Sequence, residues 1–200
     1  MAAKPLSKDF YVVNDVVHVA KNLLGKVLCT FFDRELTAGV IVETEAYSGE
    51  GDMACHACRF GKTSRTEVMF QEGGVAYVYL CYGIHHMVNV VTNVEGNADA
   101  VLIRAVEPLE GGHTMMERRK KSSLKRISAG PGTVGEALGI KVANTGESLL
   151  GPAIWLEERG IAVAEKEIVA TTRIGVDYAG EDALKPWRFY INDNPFVSRK

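Results

Sequence analysis

The sequence predicts an α+β fold: a single domain over residues 1–200, with a curved, mainly antiparallel β-sheet, a protruding β-hairpin and surrounding helices. Three observations carry this. Extended apolar segments outnumber helical ones and come in groups split by short turns, the pattern of antiparallel pairing. Helical periodicity is confined to short stretches. No segment is long or polar enough to act as a linker, and 200 residues at 46% hydrophobic content suffice for a sizeable core.

Taken in order, residues 14–24 read as a helix, with Asn14 as N-cap, Val16, Ala20, Leu23 and Leu24 as its apolar stripe and Gly25 as its stop. Residues 26–32 and 38–47 read as a hairpin turning at 33–37, and the polar residues 48–61 as a loop. Residues 75–80, 86–92 and 98–106 form a second antiparallel group. A helix is expected over 107–120 after Pro108, and a short one over 135–140 after the Gly-Pro-Gly turn at 130–132. The last third returns to strands at 153–156, 161–174 and 187–191.

The chain carries 23 basic against 25 acidic residues, so any nucleic-acid binding must come from a local patch. Residues 118–126, where six of nine are basic, are either such a patch or a solvated loop. Four cysteines in a chain of this size are not a disulfide scaffold. The first ten residues lack an apolar targeting core, and no run approaches the roughly 18 apolar residues of a membrane span. A reducing, intracellular placement is expected.

Residues 41–47, Ile-Val-Glu-Thr-Glu-Ala-Tyr, carry the chemistry. Strand alternation puts Ile41, Glu43, Glu45 and Tyr47 on one face. A buried carboxylate costs several kcal/mol unless it is paired or hydrogen-bonded, so the segment is either an edge strand with solvated glutamates or part of a working site. Tyr77, Tyr79 and Cys81 share a face of the next strand group. Tyr82 falls at a hairpin tip, a position for folding back or for protruding as a wedge into DNA. Asn89 and Arg104 interrupt runs that should be buried, and a buried Arg needs an acceptor such as Glu45 or a phosphate. Cys55, His56 and Cys58 contain one CxxC, but the H-x-E that zinc deaminases carry upstream is missing, since Val19 and Ala20 follow His18. No metal and no cofactor is expected. The chain also lacks dinucleotide, Walker and nucleophile-elbow motifs.

Several motifs recur together in one order: residues 41–47, His56, Met69-Phe70, residues 77–83, Asn89, residues 102–111, 128–132, 173–180 and 185–190. In this combination, from about Leu6 onward, the chain resembles the alkyladenine (3-methyladenine) DNA glycosylases, the methylpurine glycosylases of animals and many bacteria. The resemblance implies a monofunctional enzyme that flips alkylated or deaminated purines from duplex DNA and hydrolyses the glycosidic bond. Glu45 is then the general base for water, and Arg104 and the Ile174 carbonyl help hold that water. Tyr47, His56 and Tyr79 sandwich the base, Asn89 guards the wall against the guanine amino group, and Tyr82 fills the gap in the duplex. Electron-rich Tyr47 and Tyr79 would favour a cationic purine, and Glu43 supports its neighbours. The expected partner is double-stranded DNA with damaged purines, bound by a monomer in the bacterial cytoplasm at the nucleoid. Two departures stand out: Thr133 replaces the Lys that animal members carry after the Gly-Pro-Gly turn, and Ile84-His85-His86 alters the region behind the wedge. The long N-terminal extension of animal members is also missing, which fits a compact bacterial form. A damage-binding module and a zinc deaminase are the competing readings.

Overall fold

The computed structural model describes residues 4–199. In chain order the elements are β1 (Lys4–Pro5), α1 (Lys8–Tyr11), α2 (Val16–Asn22), β2 (Val27–Phe32), β3 (Glu35–Tyr47), α3 (His56–Phe60), β4 (Ala76–Cys81), β5 (His85–Thr92), β6 (Asp99–Glu110), α4 (Gly112–Arg119), α5 (Pro131–Leu138), β7 (Ile154–Glu158), β8 (Ile168–Thr171) and β9 (Arg188–Ile191). The strands form one nine-stranded sheet, β1-β7-β2-β3-β6-β5-β4, with β9 joining β3 to β8; every strand pair is antiparallel. The predicted α+β class and antiparallel sheet are what the chain adopts. Among the described residues no helix is long and apolar enough to cross a membrane.

β3 organises the molecule. β6 pairs along one edge from Ala38 to Tyr47, while β2 covers the start of the other edge and β9 takes it over at Glu43–Glu45. Between Ile41 and Glu43 the ladder holds one extra residue in β3, Val42; between Glu43 and Thr44 it holds one extra in β6, Arg104. These two bulges break the simple alternation expected from sequence. Ile41 does not share the face of Glu43: it packs with Ala46 in the core, on the side where the Thr44 hydroxyl bonds the Ala20 carbonyl of α2. Val42 joins Val40 in a separate cluster with Val27, Cys29 and Ala105. Bulges re-aim side chains without ending a strand, and here they aim two charged ones inward.

Several predicted boundaries shift for identifiable reasons. Asp15, not Asn14, caps α2, its carboxylate accepting from the His18 N–H at 2.9 Å. The β2–β3 turn is only Asp33-Arg34, both left-handed (φ 55° and 66°), as the twist of a two-residue hairpin requires. Pro108 does not start a helix. It sits in β6 opposite Gly39, and a Cβ on Gly39 would lie 2.7 Å from the Val106 side chain, so the strands approach closely there. The segment 161–174 forms a strand only over Ile168–Thr171, and α3 interrupts the expected loop 48–61. Lys4 and Pro5 add the unpredicted β1.

Candidate active site

β3 ends on a carboxylate cluster that its neighbours neutralise. Glu43 is fully buried; it accepts from Arg104 Nε (3.0 Å), Arg188 (2.8 Å), the Ser198 N–H (2.7 Å) and the Ser198 hydroxyl (2.9 Å). Glu45 is also fully buried. Its Oε1 accepts from the Ile174 N–H at 2.8 Å and lies 3.2 Å from Arg104, while its Oε2 accepts from the Tyr47 hydroxyl at 2.7 Å. Arg104 therefore spans both glutamates. Burial opposes its charge, but Glu45 and Glu43 hold its pKa above the ordinary value. Burial raises the Tyr47 pKa well above normal, and the Glu45 carboxylate adds to this, so Tyr47 remains a donor. Breaking such a buried pair from one side typically costs about 3–5 kcal/mol.

A cavity of about 240 Å³ opens in front of this cluster, close to the lower end of the range for ligand clefts. Tyr47, His56, Tyr79, Tyr82, Asn89, Arg104 and Ile174 all line it. Glu45 stands one layer behind, touching three of those lining residues. The fold thus gathers the residues that the resemblance assigned to the site around one space. The Ile174 N–H holds Glu45, a contact the sequence did not suggest and one distinct from the water contact expected of its carbonyl.

The far wall rises from α3 and β4. The His56 ring meets Tyr79 edge-on, centroids 4.7 Å apart at 74°, and its Nδ1 lies 2.9 Å from the Tyr77 hydroxyl. Burial, then the charges of Arg65 and Arg59, push the His56 pKa down to about 4, so the ring is neutral near pH 7. The Asn89 amide donates to the carbonyls of Tyr77 and Met87 at 3.0 and 3.2 Å, which pins it in the wall. At the rim, Tyr82 and Gly83 both have positive φ (51° and 73°), and the Tyr82 side chain is 91% exposed. A left-handed tyrosine with almost no packing protrudes rather than folding back.

Sequence reasoning missed the element that ties these walls together. Arg173 is fully buried and binds Asp52 through two bonds of 2.6 and 2.8 Å. It also donates to the carbonyls of Ala46 and Asp182 at 2.9 Å each, and its guanidinium sits between the Tyr47 and Trp187 rings. Asp52 in turn accepts from the N–H groups of Ser48 and Ala54 and so shapes the loop leading into α3. One ion pair fixes Tyr47, the start of the His56 segment and the residue before Ile174. Tyr77 as the partner of His56, and Arg188 and Ser198 as partners of Glu43, were likewise not assigned. An acidic residue just after the carboxylate strand and an arginine just before Ile174 were the only signals.

The basic run 118–126 is partly committed inside the molecule. Arg118 bonds Thr37 and the Ala137 carbonyl, Arg119 bonds the Ile127 carbonyl and Glu136, and Arg126 bonds the Ser198 carbonyl. Among the described residues no three His, Cys, Asp or Glu side chains converge on a metal-sized space. The Cys55 thiol contacts the Ala98 carbonyl at 3.8 Å, and burial pushes its pKa up to about 12. No lysine is among the cavity-lining residues.

Comparison with known proteins adds the following. The methylpurine-DNA glycosylase (MPG) family model matches residues 9–195. A protein of Methanocella arvoryzae is 48% identical over 200 residues, covering 98% of this chain and 96% of its own. One from Alkaliphilus oremlandii is 44% identical over 203 residues, covering 98% and 99%. One from Carboxydothermus hydrogenoformans is 46% identical over 195 residues, covering 98% and 99%. All three carry the name "Putative 3-methyladenine DNA glycosylase".

Proposed function

The chain belongs to the methylpurine-DNA glycosylase family, and from that premise we propose that this site removes flipped-out damaged purines from duplex DNA. The protein is a DNA glycosylase of the 3-methyladenine type, a hydrolase of N-glycosyl bonds that acts in base excision repair with DNA as its partner. The finer reading concerns how this chain does it, as one domain and as a monomer in the bacterial cytoplasm at the nucleoid.

A base stacked in a duplex keeps its glycosidic bond out of reach, so the nucleotide rotates outward at a cost of a few kcal/mol. Tyr82 enters the space left behind. The damaged purine slides into the cavity between Tyr47 and the His56–Tyr79 wall, and Asn89 faces its edge. The His56 backbone N–H is available to an acceptor on the base. As the bond breaks, positive charge grows on the sugar, as in glycoside hydrolysis generally. Glu45 stabilises that charge and takes the proton of the attacking water.

The observation that carries this reading is the bonding of Glu45. Its Oε1 is occupied by Arg104 and Ile174, whereas among the described residues Oε2 has only the Tyr47 hydroxyl. A carboxylate oxygen has two acceptor sites, so Oε2 keeps one beyond the Tyr47 bond, and the residues that hold the carboxylate, Tyr47, Arg104 and Ile174, all line the cavity. Arg104 lines the same cavity and is positioned to hold water or a phosphate. With no lysine among the lining residues, the expected product is an abasic site in an uncut strand.

The test is a panel of duplexes, each with one defined lesion, incubated with the protein in EDTA and then treated with alkali. Strand cleavage only after alkali is expected from the wild type. Glu45→Gln should lose about 10²–10⁴-fold in the excision rate while still binding a lesion duplex. Full activity in that variant removes Glu45 from its role, and wild-type binding without alkali-sensitive product would favour a damage-binding module.

A further inference from the structure

Three tyrosines of the cavity wall each carry one of the protein's own guanidiniums. Arg173 lies 4.9 Å from the Tyr47 ring centroid, Arg65 4.9 Å from Tyr79, and Arg59 4.6 Å from Tyr178. The tyrosines line the cavity, and none of these arginines does. An aromatic face attracts cations because its quadrupole is negative there. A guanidinium held against the ring, itself outside the cavity lining, draws on that density and adds like charge beside it. Arg104, also cationic, lines the cavity itself, and no Asp or Glu does. The nearest carboxylates, Glu43, Glu45 and Asp52, lie behind the wall, each already beside an arginine.

The wall contains a heterocycle that reports on this environment. Protonated His56 would be a cationic aromatic ring beside Tyr79, and burial together with Arg65 and Arg59 holds it neutral.

We propose that this guanidinium layer is a specificity determinant, shifting the pocket's preference away from purines with a fixed positive charge and toward neutral purine lesions. The inference rests on the glycosylase reading above. It runs opposite to the expectation that electron-rich Tyr47 and Tyr79 favour a cationic base. Arg65 is the most adjustable contributor. Asp52 offsets the charge of Arg173, whereas Arg65 is exposed and forms no ion pair with a carboxylate among the described residues.

An exposed arginine beside a DNA-binding cavity also attracts phosphate, and that contribution is common to every lesion. A ratio between two lesions in the same duplex cancels it. The experiment measures single-turnover excision efficiency for matched duplexes carrying hypoxanthine, which is neutral, or 7-methylguanine, which is cationic. Wild type, Arg65→Gln and Arg65→Lys are compared. Arg65→Gln should raise the 7-methylguanine to hypoxanthine ratio about two- to fivefold, the equivalent of a weak cation–π interaction. Arg65→Lys, which keeps the charge, should stay near the wild-type ratio. An unchanged ratio in Arg65→Gln, or an equal fall for both lesions, overturns the proposal. Release of neither base by the wild type would instead bring down the glycosylase reading, a distinct result.

Discussion

Replacing Glu43 by Gln tests the electrostatic frame beneath the active site. The substitution keeps shape but removes the charge shared by Arg104 and Arg188, and it turns one acceptor oxygen into a donor. If the new amide nitrogen takes the Oε2 place, it faces the Ser198 N–H, now 2.7 Å away. In the Oε1 place it faces Arg104, Arg188 and the Ser198 hydroxyl together. Either orientation leaves buried donors opposed. A buried pair broken from one side typically loses about 3–5 kcal/mol, a large part of the roughly 5–15 kcal/mol that holds a domain folded. With a urea slope of about 2–3 kcal/mol/M for a chain of this size, the unfolding midpoint should fall by about 1–2.5 M. Circular dichroism in urea measures it. Below the transition, the single-turnover excision rate should fall more than lesion-duplex affinity, because Arg104 loses the partner that aims it at Glu45. An unchanged midpoint would refute the assignment of Glu43 as the anchor of both arginines.

Three further outcomes follow from the geometry. Tyr47→Phe keeps the aromatic plate and removes the 2.7 Å bond to Glu45; a hydrogen bond to a charged group contributes about 1.5–3 kcal/mol, so the rate should drop about 10- to 150-fold with lesion affinity retained, and loss of affinity alone would contradict this. The His56 ring should titrate by NMR at about 4; because the unfolded chain binds this proton first, near pH 6.5, stability is lost as pH falls from about 6.5 toward 4, and His56→Gln should reduce that acid sensitivity. Tyr82→Ala should leave thermal stability within about 0.5 kcal/mol, since the side chain is 91% exposed, while shortening the lifetime of the lesion-duplex complex in stopped-flow fluorescence.

How far the sequence could be read depends on the range of each interaction. The helix at 14–24, the hairpins and the Tyr82 tip were visible because each is set by neighbouring residues through caps, periodicity and turn chemistry. The cavity lining emerged from the ordered motifs taken together. What stayed hidden is set across the chain. Asp52 and Arg173 are 121 residues apart, and neither has a local pattern that names its partner. Ile41 was placed on the wrong face because alternation assumes an unbroken ladder, and the extra residues Val42 and Arg104 are properties of strand pairing, not of either strand alone. Pro108 looked like a helix start because its missing N–H suits one, yet it also fits a strand position where the register shifts opposite Gly39. α3 was missed because five residues are too few to show a period.

The two bulges behave as a pair of dislocations of opposite sign. Val42 advances one strand by a residue, Arg104 advances the other, and by Thr44 and Ile103 the ladder is back in step. The distortion therefore ends within a few residues, and the core below carries no accumulated offset. Deleting Val42 alone would leave the Arg104 bulge uncompensated, with β6 one residue longer than β3 across the site. Deleting Val42 and Arg104 together would restore a regular sheet that has lost its charged centre. At the site itself the two length changes compensate each other, so its charged centre is a joint product of both strands that an insertion in either one would disturb.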